Sequence, residues 1–472
     1  MTIPDNPELV RHWRAQLRFP RTLLAVLAAF AGCAVVVLAI SLQGGDVETS
    51  AKTGYFVLVG AQYVLLGAWT ASACGQAIAQ ERETKTFDFW RTTRLTPTEL
   101  LVGLLFGRPA LAALVVGSSL PVSVAMAILG GVPVRAWLGT YLMLAVFGIF
   151  SGLFGLWASM LSERSSSGGA TGLILLGPVA AGATFLTSPW PGLGAISIAP
   201  VVTSLHGAEG LPRVSIFGMP ASYLVSALLI YPALAAWLAV MLVRNLKRDL
   251  EDVRLLSRWQ AIGLVAFVNV LFYAFLSAEM RPPVNRLAVG LNILLAYIVG
   301  LFTLTPRDRL QVWWRGQVRA RWLRLSEDGL SWPWLVVSVG VAYIGLASGR
   351  ALLTSPVAPD DWTQARAALH LLVALVFVAR DVLFLQWARL TQMKQPVAGA
   401  IALLVVLYLV VVIVGASVSG RPGAQLLPWG GGDAPWRETV IWATLQLPVI
   451  ALLLYDIARR LDRPARLAVS EA

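Results

Sequence analysis

An all-helical protein that crosses a membrane about twelve times is the fold class this sequence predicts, and three observations predict it. Of the 472 residues, 57% are hydrophobic and only 13% charged, about half the charged share of a soluble domain. The apolar residues come in continuous runs of about 20, the length an α-helix needs to cross the hydrocarbon core. A closed barrel would instead show alternating segments of about ten residues. Lys and Arg, finally, gather in alternate connections between the runs, as they do in helical membrane proteins.

Spans are expected at 22–42, 54–78, 109–131, 137–160, 168–187 and 220–242. A second set follows at 260–278, 285–303, 331–349, 367–385, 397–418 and 438–456. With the N-terminus inside, 27 of the 37 Lys and Arg fall in inner segments and nine in outer ones, with Arg380 left within a span. Both termini are therefore expected on the cytoplasmic side, and the scarcity of Lys beside Arg, 4 against 33, points to a bacterial inner membrane. The net charge of +12 would suggest nucleic acid for a soluble protein. Here the positive residues flank spans, so membrane lipids are the expected partner and nucleic acid is not.

Before the first span, residues 6–21 carry Leu9, Val10, Trp13 and Leu17 at helical spacing, with Arg11, Arg14 and Arg18 between them. That pattern predicts an amphipathic helix lying at the interface over residues 1–21. The run from Thr22 to Leu42 is too long for the core of a cleaved signal peptide. Gly148 and Gly152, then Gly168 and Gly172, are spaced four apart, which allows close helix contact. The outer connection 187–219 is Pro/Gly-rich and nearly uncharged, and fits either an ordinary loop or an interfacial cap. Residues 419–436 read as a Gly/Pro-rich connection. Cys33 and Cys74 both sit in apolar runs and read as small core residues rather than a disulfide or metal pair.

Chemistry inside a membrane needs polar groups that are costly to place there, and few are present. His12, His206 and His370 are scattered. No HExxH, GxSxG or GxxxxGK[ST] motif occurs, and no soluble stretch is long enough for a nucleotide domain. The chain is therefore not expected to be an enzyme or to hold a cofactor or metal ion. Arg380 and Asp381, placed near the inner end of the tenth span, fit either a snorkelling structural pair or part of a coupling-ion path. Arg307, Arg309, Arg315, Arg319, Arg321 and Arg324, interleaved with Trp313, Trp314 and Trp322, predict an interfacial helix drawn to anionic lipid.

The densest cluster of mixed charge, residues 80–101, lies between two expected spans. Around it Gln76, Ile78, Glu81, Arg82, Glu83, Thr86, Asp88, Thr93, Leu95, Thr96, Pro97, Glu99, Leu100 and Gly103 form an ordered series. That series resembles the cytoplasmic loop of ABC-2 type permeases, the membrane subunits of many bacterial ABC exporters. Asn6-Pro7, Arg11, Arg14, Arg18, Pro20 and Arg21 are similar to the same family's N-terminal elbow. The resemblance covers residues 1 to about 245. It implies a six-helix permease domain over 22–245 with a coupling loop at 79–108. It also implies a separate ABC ATP-binding subunit that holds the ATP and Mg. The contact set it implies is Gln80, Glu81, Arg82, Glu83, Thr86, Phe87, Asp88, Trp90, Pro97 and Glu99. In that scheme Glu81, Arg82 and Glu83 make charged contacts, Phe87 and Trp90 fill an apolar notch in the partner, and Pro97 ends the short helix.

Residues 246–472 form a second six-span domain in this reading. Leu304-Thr305-Pro306 is similar to Leu95-Thr96-Pro97, so a degenerate 6 + 6 repeat is one arrangement the sequence allows. Either one chain then supplies both halves of a pore, or a homodimer or second permease does. The apolar walls favour a lipid, amphiphile, drug or peptide as cargo. The alternative to an ATP-driven exporter is an ion- or proton-coupled secondary transporter, which requires a titratable group at mid-membrane.

Overall fold

The computed structural model describes residues 6–42, 44–162, 184, 191–207, 210–248, 255–276, 284–320, 329–330, 334–338, 340–344, 364–391, 396–419, 440–441 and 443–470. The expected fifth span, with Gly168 and Gly172, lies outside them except for Thr184. So do nine of the 19 residues of 331–349, nearly all of 419–436, and Arg321, Trp322 and Arg324. By internal contact the chain divides into two compact units, Met1–Leu255 with Phe275–Ser277, and Leu256–Ala274 with Ala278–Ala472.

The first unit opens with α1 (Pro7–Gln16) and α2 (Phe19–Ser41), separated by Leu17 and Arg18. Next, α3 (Val47–Val64) runs through a π-helical turn, Leu65–Trp69, into α4 (Thr70–Glu83) as one 37-residue helix. Two short helices follow, α5 (Phe87–Thr92) and α6 (Pro97–Gly107), then α7 (Ala110–Leu129) and α8 (Val134–Leu161). The segment between α8 and the unit's last helix folds into a cap: a 3-10 turn at Pro191–Ile196, α9 (Ile198–Leu205), and a hairpin of β1 (Val214–Ile216) and β2 (Met219–Ala221) with Ser215 opposite Pro220. The unit closes with α10 (Tyr223–Asn245), whose Tyr231 hydroxyl ties it to the cap by donating to the Ile196 carbonyl at 2.5 Å.

The interior of this unit is set by how closely α4 and α8 approach. Gly148, Gly152 and Gly155 line one face of α8. A Cβ at Gly148 would come within 2.8 Å of Leu66, one at Gly152 within 2.6 Å of Leu105, and one at Gly155 within 2.9 Å of the Cys74 Cβ. One turn further on, the buried Ser159 hydroxyl accepts from the Ile78 and Ala79 N–H groups, each at 3.0 Å. Small residues let backbones meet where lipid supplies no hydrophobic drive between helices. Below that seam Cys74, Ile78, Leu100, Leu104, Leu156 and Leu242 form one buried cluster with Phe87 and Trp90.

In the second unit, α11 (Arg258–Ala274) and α12 (Val284–Phe302) are joined by a reciprocal amide pair: Asn269 Nδ2 donates to Asn292 Oδ1 at 2.8 Å and Asn292 Nδ2 returns at 2.9 Å. Helix α12 then bends by 86° into α13 (Arg307–Ala320). Trp314 of α13 donates to Asp462 at 2.6 Å. The remaining long helices are α14 (Gln364–Arg389), α15 (Pro396–Ser419) and α16 (Leu447–Ser470).

Among the described residues six helices are long and apolar enough to cross a membrane: α2, Val47–Glu83, α7, α8, α10 and Ala367–Arg389 within α14. The bent pair α12 and α13 would make a seventh. That is fewer than the twelve the apolar runs suggest; the expected fifth and ninth spans fall almost wholly or partly outside the described residues, and two of the others differ for physical reasons. Helix α11 is only 17 residues long. The run at 438–456 is interrupted by a turn at Leu445 and Gln446, and α16 starts after it and carries on into the charged segment beyond 456. In the candidate span Ala367–Arg389, Arg380 and Asp381 fall just past the middle of the helix.

Gly155→Val should overpack the α4–α8 seam and destabilise the first unit by about 1–3 kcal/mol. Thermal unfolding in detergent checks this, with Gly117→Val as control, because nothing lies within 4 Å of a Cβ there.

Candidate functional site

The charged stretch that the sequence singles out is folded. Helix α4 ends in a left-handed turn at Lys85, φ 56°. The Thr86 N–H reaches back to the Glu81 carbonyl at 2.9 Å and the Lys85 N–H to the Arg82 carbonyl at 3.0 Å. These are the two hydrogen bonds of a Schellman cap, a position usually given to glycine. The chain thereby reverses into α5. Helix α6 begins at Pro97, with a reciprocal cap: the Glu99 N–H donates to Thr96 Oγ1 at 3.2 Å and the Thr96 N–H to Glu99 Oε2 at 2.8 Å. Pro97 therefore starts a helix instead of ending one. Its ring suits the first helical position, where no N–H partner is needed.

Glu81 is the hub. It is 8% exposed. Its Oε1 accepts from Arg11 Nη2 at 2.8 Å and from Arg108 Nη2 at 3.3 Å, and its Oε2 from Thr86 Oγ1 at 2.5 Å. Gln80 Oε1 accepts from Arg108 Nη1 at 2.8 Å. Burial pushes the Arg108 guanidinium down from its ordinary value and Glu81 opposes that shift; an arginine stays cationic regardless. Arg82 donates to the Met160 carbonyl of α8 at 2.8 Å and lies 5.0 Å above the Phe87 ring.

Helix α1 is clamped to this arrangement. The Asn6 side chain caps it, accepting from the Glu8 and Leu9 N–H groups, and donates to the Glu99 carbonyl at 2.7 Å. Gly103 and Gly107 of α6 face α1, where added Cβ atoms would come within 2.8 Å of Glu8 and 2.7 Å of His12. Glu8 is buried and accepts from Arg11 at 2.6 Å and from His12 Nε2 at 3.0 Å. Burial pushes its carboxyl up, but the His12 hydrogen bond and the Arg11 charge outweigh that and hold it below the ordinary 4.5. For Glu99 the Thr96 N–H and hydroxyl do the same.

All ten residues of the expected contact set are brought into one knuckle, but not all face outward. Phe87 is 5% and Trp90 1% exposed. Spaced three apart on α5, they insert together into this unit's own core, so neither is available to fill a partner's notch. Phe89 between them is 68% exposed and stands with exposed Glu83, Lys85, Thr86 and Asp88. Glu81 is likewise an internal tie. Sequence reasoning missed the roles of Asn6, Arg11, Arg108 and Phe89. The Thr96-x-x-Glu99 cap could have been read from the sequence, whereas the long-range ion pairs leave no local signal.

A second polar cluster lies in the other unit. Asp381 is fully buried. Its Oδ1 accepts from Arg380 Nε at 2.8 Å and Nη2 at 2.7 Å, and its Oδ2 from the Tyr297 hydroxyl at 2.7 Å and from Tyr408. Among the described residues no three His, Cys, Asp or Glu side chains form a metal-binding group, and Cys33 and Cys74 are buried free thiols. The chain matches no family model, no curated protein and no solved structure.

Lys85→Gly should stabilise the knuckle by about 1 kcal/mol, because the left-handed turn then carries no Cβ; the shift is read from thermal unfolding. The Glu8 carboxylate is depressed on folding, so its contribution is complete above 4.5 and is lost as pH falls through the lower folded value. Hydrogen exchange of residues 7–16 should accordingly quicken on acidification below that point, and Glu8→Gln should abolish the step.

Proposed function

We propose that the chain is the permease subunit of an ABC exporter in a bacterial inner membrane, driven by ATP hydrolysed on a separate subunit that holds ATP and Mg. One observation carries this reading: the connector 79–108 is a stiff knuckle rooted in the bundle. Trp90 sits in a core built from α4, α6, α8 and α10, and Glu81 ties the same connector to α1 and to Arg108. A push on α5 is therefore passed to several spans together, which is what coupling a cytoplasmic motor to a helical bundle requires. Phe89, ringed by charge, suits an apolar notch with a polar rim, the usual anatomy of a hot spot.

In this arrangement α1 is the elbow, the N-terminus is inside, and the cargo is a lipid, amphiphile, drug or peptide. The two units then represent either two halves of one pore or a protomer that pairs with a second copy.

Phe89→Asp should reduce co-purifying ATPase activity by roughly tenfold or more, with yield and elution unchanged, when the tagged chain is isolated gently from its native membrane. Full ATPase association and transport with Phe89→Asp would overturn the reading. Glu83→Arg tests the charged rim in the same assay. Trp90→Ala belongs to a different class, since it should cost folded protein before it costs coupling.

A second reading, an ion- or proton-coupled secondary transporter, is favoured by the mid-span position of the buried Asp381. Absence of any associated ATPase, together with loss of cargo uptake in Asp381→Asn, would move the assignment there.

A further inference from the structure

Within the second unit, α15 and α16 each lie against α14, and a cavity of about 530 Å³ stands between them, inside the usual range for small-molecule sites. Its walls include Leu403 and Leu407 of α15 and Val449 and Leu453 of α16, and its polar end is formed by Arg380 and Gln446 with the buried Asp381. Leu403, Leu407 and Val449 are also 58%, 45% and 41% exposed, so the cavity opens sideways toward where lipid would lie.

The chemistry of the polar end narrows what can occupy it. A guanidinium has five N–H donors. Arg380 uses Nε and one Nη2 hydrogen on Asp381, the other Nη2 hydrogen on Tyr408 at 2.7 Å, and one Nη1 hydrogen on Gln446 at 2.7 Å. The second Nη1 hydrogen has no acceptor among the described residues, and it belongs to a side chain that lines the cavity. The Asp381 carboxylate, by contrast, is already saturated by Arg380, Tyr297 and Tyr408.

Arg380 and Asp381 form a balanced pair. An ionised ligand would bring an uncompensated charge into an apolar, mid-membrane site, at a cost that burial does not return. A neutral ligand with an acceptor oxygen carries no such penalty.

We propose that this cavity binds an uncharged, lipid-like molecule whose chain lies along the leucine and valine walls and whose carbonyl oxygen accepts the remaining hydrogen of Arg380. The site stands under either transport reading, because it uses no contact with an ATPase.

The test uses the full chain in phosphatidylcholine vesicles at neutral pH and a fatty acyl methyl ester bearing a diazirine. The same chain as a free carboxylate and as a plain hydrocarbon serve as comparison probes. Adducts mapped by mass spectrometry are expected within 403–410 and 446–453, with the ester labelling roughly tenfold above the hydrocarbon, the worth of one hydrogen bond to a charged donor. Leu407→Trp fills the cavity from a half-exposed position and should remove most of that labelling. Excess unlabelled ester should do the same in the unmodified chain, so the result does not hang on one variant. Equal labelling by ester and hydrocarbon would overturn carbonyl recognition. Strongest labelling by the carboxylate would overturn the charge argument. Labelling that neither Leu407→Trp nor competitor lowers would reduce the site to ordinary lipid contact.

Discussion

Everything in the first unit turns on a carboxylate that is taken out of water and must be paired. Leaving one partner of a buried ion pair alone costs about 3–5 kcal/mol, so Glu81 fixes whatever it holds. It holds Arg11 from α1, Arg108 from the entry to α7, and Thr86 from the turn that launches α5. Three segments far apart in the chain thus share one oxygen pair. The Schellman turn at Lys85 and the caps on α1 and α6 then set the angles at which those segments leave it.

Close backbone approach is the second constraint, and it works with the first. Gly103 and Gly107 bring α1 against α6, and the glycine face of α8 brings it against α4. Without the close seat on α6, Arg11 would have to span a wider gap to reach Glu81. Small residues and a buried charge therefore solve one problem between them: how to hold a short helix to a bundle when apolar attraction alone is weak. The second unit solves a related problem differently, matching amide to amide at Asn269 and Asn292 and carboxylate to two phenols at Asp381.

The long apolar helices of the first unit were legible in the sequence because burial in lipid demands continuous hydropathy, and α2, α7, α8 and α10 fall where the runs do. The helix over Pro7–Gln16 was legible from its periodicity and its Asn-Pro start. The knuckle was legible as a place but not as a surface. Phe87, Phe89 and Trp90 look alike in one dimension; which of them turns inward depends on where α4, α6 and α8 come to rest. Pro97 was misread because a proline both ends and starts helices, and only the Thr96–Glu99 cap distinguishes the two. Asp381 moved to mid-span because a membrane helix can extend past its apolar run, through Trp387 to Arg389, before it ends. The Tyr297, Tyr408 and Gln446 partners came from three different helices or turns, and no spacing rule connects them.

The Asn6 side chain has its place in α1, yet its outward hydrogen bond goes to Glu99, 93 residues later in the chain. At a synthesis rate of about 5–20 residues per second, that acceptor emerges about 5–20 s after Asn6 does. Arg11 waits in the same way for Glu81, 70 residues on. For that interval α1 exists without the bundle it belongs to, and Leu9, fully buried in the finished fold, lacks the α6 surface it packs on. The apolar stripe of α1 is therefore made well before the glycine-lined face of α6 that later receives it, and the Asn6 cap is what holds the helix's start in the meantime.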